Sequence, residues 1–470
     1  MVFKSKKQQY GKGLFFLMGL LMLGCTSEKK TDSATALQAL IKGYQDHKGF
    51  DEKEYPLGVF TRDYFKGEAD FARAKQEELS KIPIEELNEA DQISHELLAF
   101  VLADKIGFYT HERFLNPILS DAGFHSSLTY RVRPLNNYKQ VKEYLNMLNA
   151  IPTFVDQHFV LLKEGLEKGV SQPRVIFNGY ESTYDDHIVV DFKSSYYYSP
   201  FKNLPEDVTE AQRDSILAAA KTSIETNVTP QFKRIKEFFE STYFPETRTS
   251  LGASAMPNGD ALYQDRINFY TTSEAYTAEE IHQIGLQEVA RIKAEMQKII
   301  QDLDFQGSFS DFLHFLRTDQ QFYAKTPEEL MMIARDMAKR ADEQLPRFFK
   351  TLPRKPYGVA PVPDAIAPKY TAGRYIGTSK NSTDPGYYWV NTYDLPSRTL
   401  YTLPSLTVHE AVPGHHLQGS LNNELGDSIP DFRKNLYLSA YGEGWGLYCE
   451  FLAEEMGMYT TPYELSLIHI

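Results

Sequence analysis

Leu406-Thr407-Val408-His409-Glu410-Ala411-Val412-Pro413-Gly414-His415-His416-Leu417-Gln418 is the stretch on which the reading of this chain turns. Its counterpart is Tyr441-Gly442-Glu443-Gly444-Trp445, whose glutamate stands 27 residues after His416. A histidine followed at once by glutamate opens the zincin pattern. There, two histidines at i and i+4 share a zinc ion on one helix face and the glutamate is the general base. The spacing here departs from that pattern, because position 413 is proline and the next histidines stand at i+6 and i+7. On a straight helix i+6 points about 120° away and i+7 lies roughly 10.5 Å along the axis. Zinc holds imidazole nitrogens at about 2.0–2.1 Å, so an undistorted helix brings neither histidine to the metal of His409.

Pro413-Gly414 offers the way out. Proline has no N–H for the His409 carbonyl and its ring crowds that carbonyl, so the helix must bulge or break. Glycine accepts whatever dihedral angles the bulge needs. Looping out two residues restores the i+4 relation for His415, and looping out three restores it for His416. His415 is favoured because Gly-His then resumes the helix directly. The other histidine would face the substrate or bond a carboxylate behind the ligands. A catalytic zinc takes three protein ligands and leaves a place for water. Glu443 fits as the third, since Gly442 and Gly444 let another backbone come close and it opens a helical stretch through Leu447, Phe451 and Leu452. Glu450 would share its face two turns on and is the weaker choice. Glu410 is the expected general base, taking a proton from the attacking water and passing it to the leaving amine.

Around this segment the chain reads as mainly α-helical. Thr277-Ala278-Glu279-Glu280 is a capping box followed by Ile281, Ile284, Ile292, Met296, Ile299 and Leu303 at helical spacing. Thr326-Pro327-Glu328-Glu329 repeats the start signal. Further amphipathic segments fall near 34–47, 85–104, 138–168, 208–240 and 309–317. Helix-to-core packing is the expected use of these stripes. Short strands are expected at Val175-Ile176-Phe177, at His187-Ile188-Val189-Val190 and most clearly at Tyr387-Tyr388-Trp389-Val390-Asn391-Thr392. The prolines from Pro353 to Pro368 mark a junction between a helical N-terminal part, 25–352, and a C-terminal part, 353–470.

Residues 1–24 read as an export signal: Lys4, Lys6, Lys7 and Lys12 precede an apolar run from Leu14 to Leu23. Met22-Leu23-Gly24-Cys25 resembles a lipobox, which would put lipid on Cys25 and tether the exported chain to the bacterial envelope. Cys449 is the only other cysteine, so disulfides are not expected and any metal site must use His and carboxylates. Cys449 itself reads as a small buried apolar residue. With a net charge of -13 and a pI near 5.5, the chain lacks the basic footprint of a nucleic-acid binder.

These pieces, together with Glu288-Val289-Ala290-Arg291-Ile292, Pro385-Gly386-Tyr387-Tyr388-Trp389-Val390-Asn391 and Glu443-Gly444-Trp445, resemble the bacterial family catalogued as domain of unknown function 885. That family looks like a divergent branch of the gluzincin metallopeptidases, and the likeness runs from about residue 35 to 465. It implies a gluzincin-like helical fold around a cleft, a small β-sheet beside the active-site helix, a zinc ion and hydrolysis of peptides. It further implies that the strand carrying Tyr388, Trp389 and Asn391 binds the substrate backbone by strand addition, with plain sheet core the equal alternative for these residues. Tyr437 and Tyr441 become candidates for stabilising the oxyanion. Family members continue past the last residues here, and Leu465 to Ile470 resembles translated adapter sequence, so the chain is expected to be cut short and His469 is not read as a ligand. The expectation is a lipid-anchored zinc metallopeptidase. Its rivals are an inactive lipid-anchored peptide-binding protein on the same fold and a purely structural envelope lipoprotein.

Overall fold

The structure, a computed structural model, describes residues 32–119, 123–364, 366–378 and 382–468. The expected signal segment, Cys25 and His469 lie outside the described residues. The longer helices run in the order α1 (Ser33–Gln45), α2 (Arg62–Leu79), α3 (Glu89–Thr110), α4 (Tyr138–Glu167), α5 (Glu210–Ser223), α6 (Thr229–Phe238), α7 (Gly259–Thr271), α8 (Ala278–Asp302), α9 (Phe309–Thr318) and α10 (Pro327–Phe348). Three strands follow, β1 (Tyr357–Pro361), β2 (Gly373–Ile376) and β3 (Gly386–Val390). Then come α11 (Leu403–Glu410), α12 (His415–Asn423), α13 (Ser439–Glu455) and α14 (Pro462–Ile468). The chain is thus mainly α with one small sheet.

The start signals act as their chemistry requires. The Thr277 hydroxyl accepts from the Glu280 amide at 3.3 Å, and Glu280 reaches back to the Thr277 amide at 2.8 Å. Thr326 caps α10 through the Glu329 amide at 3.1 Å, with Pro327 in the first turn. One large core unites α4, α5 and α6 around Phe154, Ile224, Phe232 and Phe239. Leu37, Leu98 and Leu102 of α1 and α3 form a second core, which also takes in Phe432 from the C-terminal region. Two smaller cores matter most for the site. Leu330, Ala334 and Met337 of α10 pack with Tyr388 and Val390 of β3 and with Leu403 and Ala411. Ala341 and Leu345, farther along α10, pack with Val408, Leu417, Leu452 and Ala453. α11 is therefore wedged between α10, α13 and the sheet. Truncating a fully buried member such as Val408 leaves a cavity and costs on the order of 2 kcal/mol.

The sheet order is β1-β3-β2, with β1 parallel and β2 antiparallel to β3. β3 is consequently the middle strand, its backbone paired on both sides, and β2 is an edge.

Three expectations are corrected here. Val175-Ile176-Phe177 lies in a 3-10 turn, Arg174–Phe177, and His187 to Val190 forms a turn and extended chain. Val175 and Val190 stand exposed, Ile176 and Ile188 lean half-buried on the large core, and no described strand lies alongside to pair with either segment. The stripe on α8 also fails to reach a core along most of its length. Met296 is its buried member and Leu303 packs half-buried against a small core, while Ile281, Ile292 and Ile299 are only half-buried and Ile284 is exposed. No described helix is long and apolar enough to cross a membrane.

Candidate metal centre

α11 delivers His409 and Glu410 in its last turn and stops there. Ala411 leaves the helical region at φ -94°, ψ -102°, and the Val412–Pro413 peptide is cis. The Gly414 amide donates to the Val408 carbonyl at 2.9 Å and the His416 amide to the Ala411 carbonyl at 3.1 Å, after which α12 begins. A Cβ on residue 414 would lie 1.8 Å from the His409 carbonyl oxygen, so only glycine fits this crossing. The Trp445 indole N–H holds the bulge from outside, donating to the Pro413 carbonyl at 2.8 Å.

The break turns His415 back toward His409. His409 Nε2 lies 3.4 Å and His415 Nε2 3.5 Å from the same Glu443 oxygen, Oε2. The donor atoms of His409, His415 and Glu443 all fall within 4.8 Å of one another. Tetrahedral donors about 2.0–2.1 Å from a zinc ion stand roughly 3.4 Å apart, so both nitrogen–oxygen separations match a zinc-sized centre. Two imidazoles and a carboxylate are also the donor set that zinc takes in hydrolytic sites.

A second layer fixes these donors. His409 Nδ1 donates to Glu450 Oε1 at 2.8 Å, which leaves the Nε2 lone pair facing Glu443. The Tyr437 hydroxyl donates to Glu443 Oε1 at 2.5 Å. The Tyr375 amide, on β2, donates to Glu410 Oε2 at 2.8 Å. α13 reaches His409 so closely because residue 446 is glycine: a Cβ there would sit 2.6 Å from the imidazole ring.

Charge follows geometry. Burial alone would lower the His409 pKa, but the Glu450 hydrogen bond and the charges of Glu410, Glu450 and Glu443 raise it above the ordinary value. Burial raises the Glu410 carboxyl above the usual range, against the pull of the Tyr375 amide, His409, His415 and Arg374. Burial works the same way on Glu443, yet Tyr437, His415 and His409 together hold it below the usual range.

A cleft of about 920 Å³ opens over these groups, lined by Arg374, Tyr375, Glu410, His415, Tyr441 and Glu443 among others. Tyr441 stands exposed on its wall, and Tyr437 is turned to Glu443.

Several expected residues are placed elsewhere. His416 is not brought to the donors. One step round the helix from His415, it is buried with Nδ1 3.1 Å from the Tyr375 hydroxyl and 3.2 Å from Ser420 Oγ, and burial pushes its pKa down to about 4. Its partners are these hydroxyls and the Lys355 backbone, not a carboxylate. Tyr388 is wholly buried in the core with its hydroxyl toward Thr407, and Trp389 packs near Tyr370 outside the cleft lining. Asn391 is also wholly buried. Its amide donates to the carbonyls of Ala367, Tyr370 and Thr371, so it pins a loop and does not reach substrate. Middle strand β3 has no free edge to offer a peptide, because both neighbours already occupy it. Glu443 does not open its helix; it sits in the second turn of α13. Gly444 faces open space, and the close approach belongs to Gly446.

Sequence reasoning ranked Glu450 only as a spare ligand, and the i+7 spacing from Glu443 was its one signal. It passed over Arg374, Tyr375 and Gly446 altogether. Cys449 is buried as expected, its thiol pushed up to about 12 by burial.

The family described as "Bacterial protein of unknown function (DUF885)" matches residues 41–467. The chain belongs to that family. Its description assigns no activity, so the family fixes kinship and leaves chemistry to the site. Solved structures match the fold as well. One, the crystal structure of "the putative lipoprotein from Colwellia psychrerythraea", superposes with a TM-score of 0.82 at 20% identity, covering 93% of this chain and 81% of that one. At that identity it shows a shared fold. No curated protein matches the chain in sequence.

Proposed function

We propose that this member of the DUF885 family is a zinc-dependent metallopeptidase, exported and held at the bacterial envelope by lipid on Cys25. The observation that carries the chemistry is the triangle of His409, His415 and Glu443, with Glu410 beside it in an open cleft. Support for the anchor comes from Met22-Leu23-Gly24-Cys25 and from the structural neighbour named a lipoprotein.

His409, His415 and Glu443 would hold the ion, which when bound supplies a Lewis acid and a water ionisable near neutral pH. The chain's own groups do the rest. Glu410 takes the proton of the attacking water and returns it to the leaving amine. Its carboxyl, raised by burial, holds a proton more readily than an ordinary glutamate, which suits a shuttle. The Tyr375 amide fixes one of its oxygens. Glu450 sets the tautomer of His409, and Tyr437 steadies Glu443. Tyr441, exposed on the cleft wall, would donate to a developing oxyanion. Of the sheet, β2 is the strand that borders the cleft, so a peptide backbone would align there.

Elemental analysis joined to peptide-library cleavage tests this reading. About one zinc per chain is expected, lost in Glu443→Ala and kept in a cleavage-dead Glu410→Gln. Zinc without cleavage by the wild type would instead favour an inactive peptide-binding protein, and absence of bound metal would overturn the reading outright.

A further inference from the structure

The cleft carries a charge that the proposed chemistry does not use. Among the described residues lining it, Arg374 alone is a lysine or arginine. It sits on β2, next to the Tyr375 whose amide holds Glu410, and its side chain is exposed to the cavity. Arg374 reaches the Tyr370 side chain and its charge acts on Glu410, while no carboxylate forms an ion pair with it among the described residues: Glu410 accepts from Tyr375, and Glu443 faces Tyr437, His409 and His415. The chain as a whole is strongly acidic, with a net charge of -13, so a lone guanidinium inside the cavity is a marked local exception. Its planar fork matches a carboxylate through two parallel hydrogen bonds. The same cavity has an apolar side, lined by Phe349, Leu417, Leu421, Leu425, Leu436 and Trp445.

We infer that Arg374 receives the free carboxylate at the end of a peptide, with the last side chain in the apolar pocket, so that the site removes C-terminal apolar residues. This rests on the metallopeptidase reading of the same cleft. A carboxylate at Arg374 puts the final residue beside Glu410, and the last peptide bond toward the donor triangle. Hydrolysis then adds one water across that bond: its hydroxyl to the carbonyl carbon, its proton by way of Glu410 to the amine of the released amino acid. A side chain without a polar group is selected because five of those six residues offer no polar side-chain atom, and the Trp445 indole N–H is taken by the Pro413 carbonyl.

The test separates carboxylate recognition from turnover. Calorimetry on the full chain would compare N-acetyl-leucine with N-acetyl-leucinamide, for the wild type, Arg374→Ala and Arg374→Lys. The wild type should bind the free acid about 10- to 100-fold more tightly than the amide, as expected of a hydrogen bond between charged groups. Arg374→Ala should bind the two alike, with amide affinity unchanged, and Arg374→Lys should recover part of the preference. Unchanged amide binding shows that the variant is folded. A wild type without preference, or an Arg374→Ala variant weakened equally for both probes, would overturn the inference. Cleavage of benzoyl-glycyl-leucine and its amide is measured alongside. Preference in binding without cleavage would overturn the peptidase reading and keep Arg374 as a carboxylate receptor. Equal cleavage of acid and amide would do the reverse.

Discussion

Two settings in which this molecule encloses histidines stand in contrast, and the difference shows what surroundings do to an imidazole. His125 and His158 lie in the large N-terminal core, among Phe124, Phe154, Tyr180 and Phe239. Each has a neutral partner. His125 Nε2 meets Thr183 Oγ1 at 2.8 Å, and His158 Nδ1 donates to the Phe154 carbonyl at 2.7 Å. Burial pushes their pKa values down to about 3 and about 4. His409 is also largely enclosed, yet three glutamates surround it and its pKa moves the other way. Burial alone silences an imidazole; burial among carboxylates readies it for a cation.

The sharpest way to break this contrast is at Glu410. Glu410→Gln should cut peptide hydrolysis by about 10²- to 10⁴-fold while zinc content stays at the wild-type level. A variant that kept full activity would remove the proton shuttle from the mechanism. Next comes acid. The folded-state pKa of His158 lies below the ordinary value, so between those two values the unfolded chain binds a proton that the folded chain refuses. Stability therefore falls as pH drops from about 6.5 toward 4. From pH 7 to pH 5 the loss from this group is about 2 kcal/mol, readable as a shift in urea midpoint. His158→Phe should remove that share of the dependence, leaving the shares of His125 and His416, and an unchanged slope would take His158 out of the account. Glu450→Ala should weaken zinc binding by about 10- to 100-fold without unfolding the chain, as measured by competition with a chelator. Equal metal affinity would mean that the Nδ1 contact is incidental. The smallest effect is expected at Trp445→Phe, which leaves the Pro413 carbonyl without its indole donor and costs on the order of 1 kcal/mol in thermal or urea unfolding.

Much of this was legible in the sequence where local chemistry decides. Capping boxes at Thr277 and Ser/Thr-type starts at Thr326 act within four residues, so their helices begin where the sequence says. The stretch 138–168 became a single helix, Tyr138–Glu167, even with Pro152 inside it. His415 could be preferred to His416 because a helix break has only a few ways to close. What was hidden depends on distant partners. Tyr388 and Asn391 read equally as substrate residues or as sheet core, and only the pairing of β3 with strands on both sides shows that they are spent on packing. β2 is four residues long in a stretch rich in turns, so nothing local announced Arg374 or Tyr375. Gly446 was invisible for a similar reason, since its role exists only when α13 lies against His409.

The detour between His409 and His415 carries a lesson for finding such proteins. Six positions part the two histidines along the chain, yet both ring nitrogens come to rest near one carboxylate oxygen. Proline and glycine take up the slack, so the spacing that a metal ion would meet is the one in space and not the one counted in letters. A census that counts letters passes over this chain, whereas one that measures gaps between donor atoms picks it out.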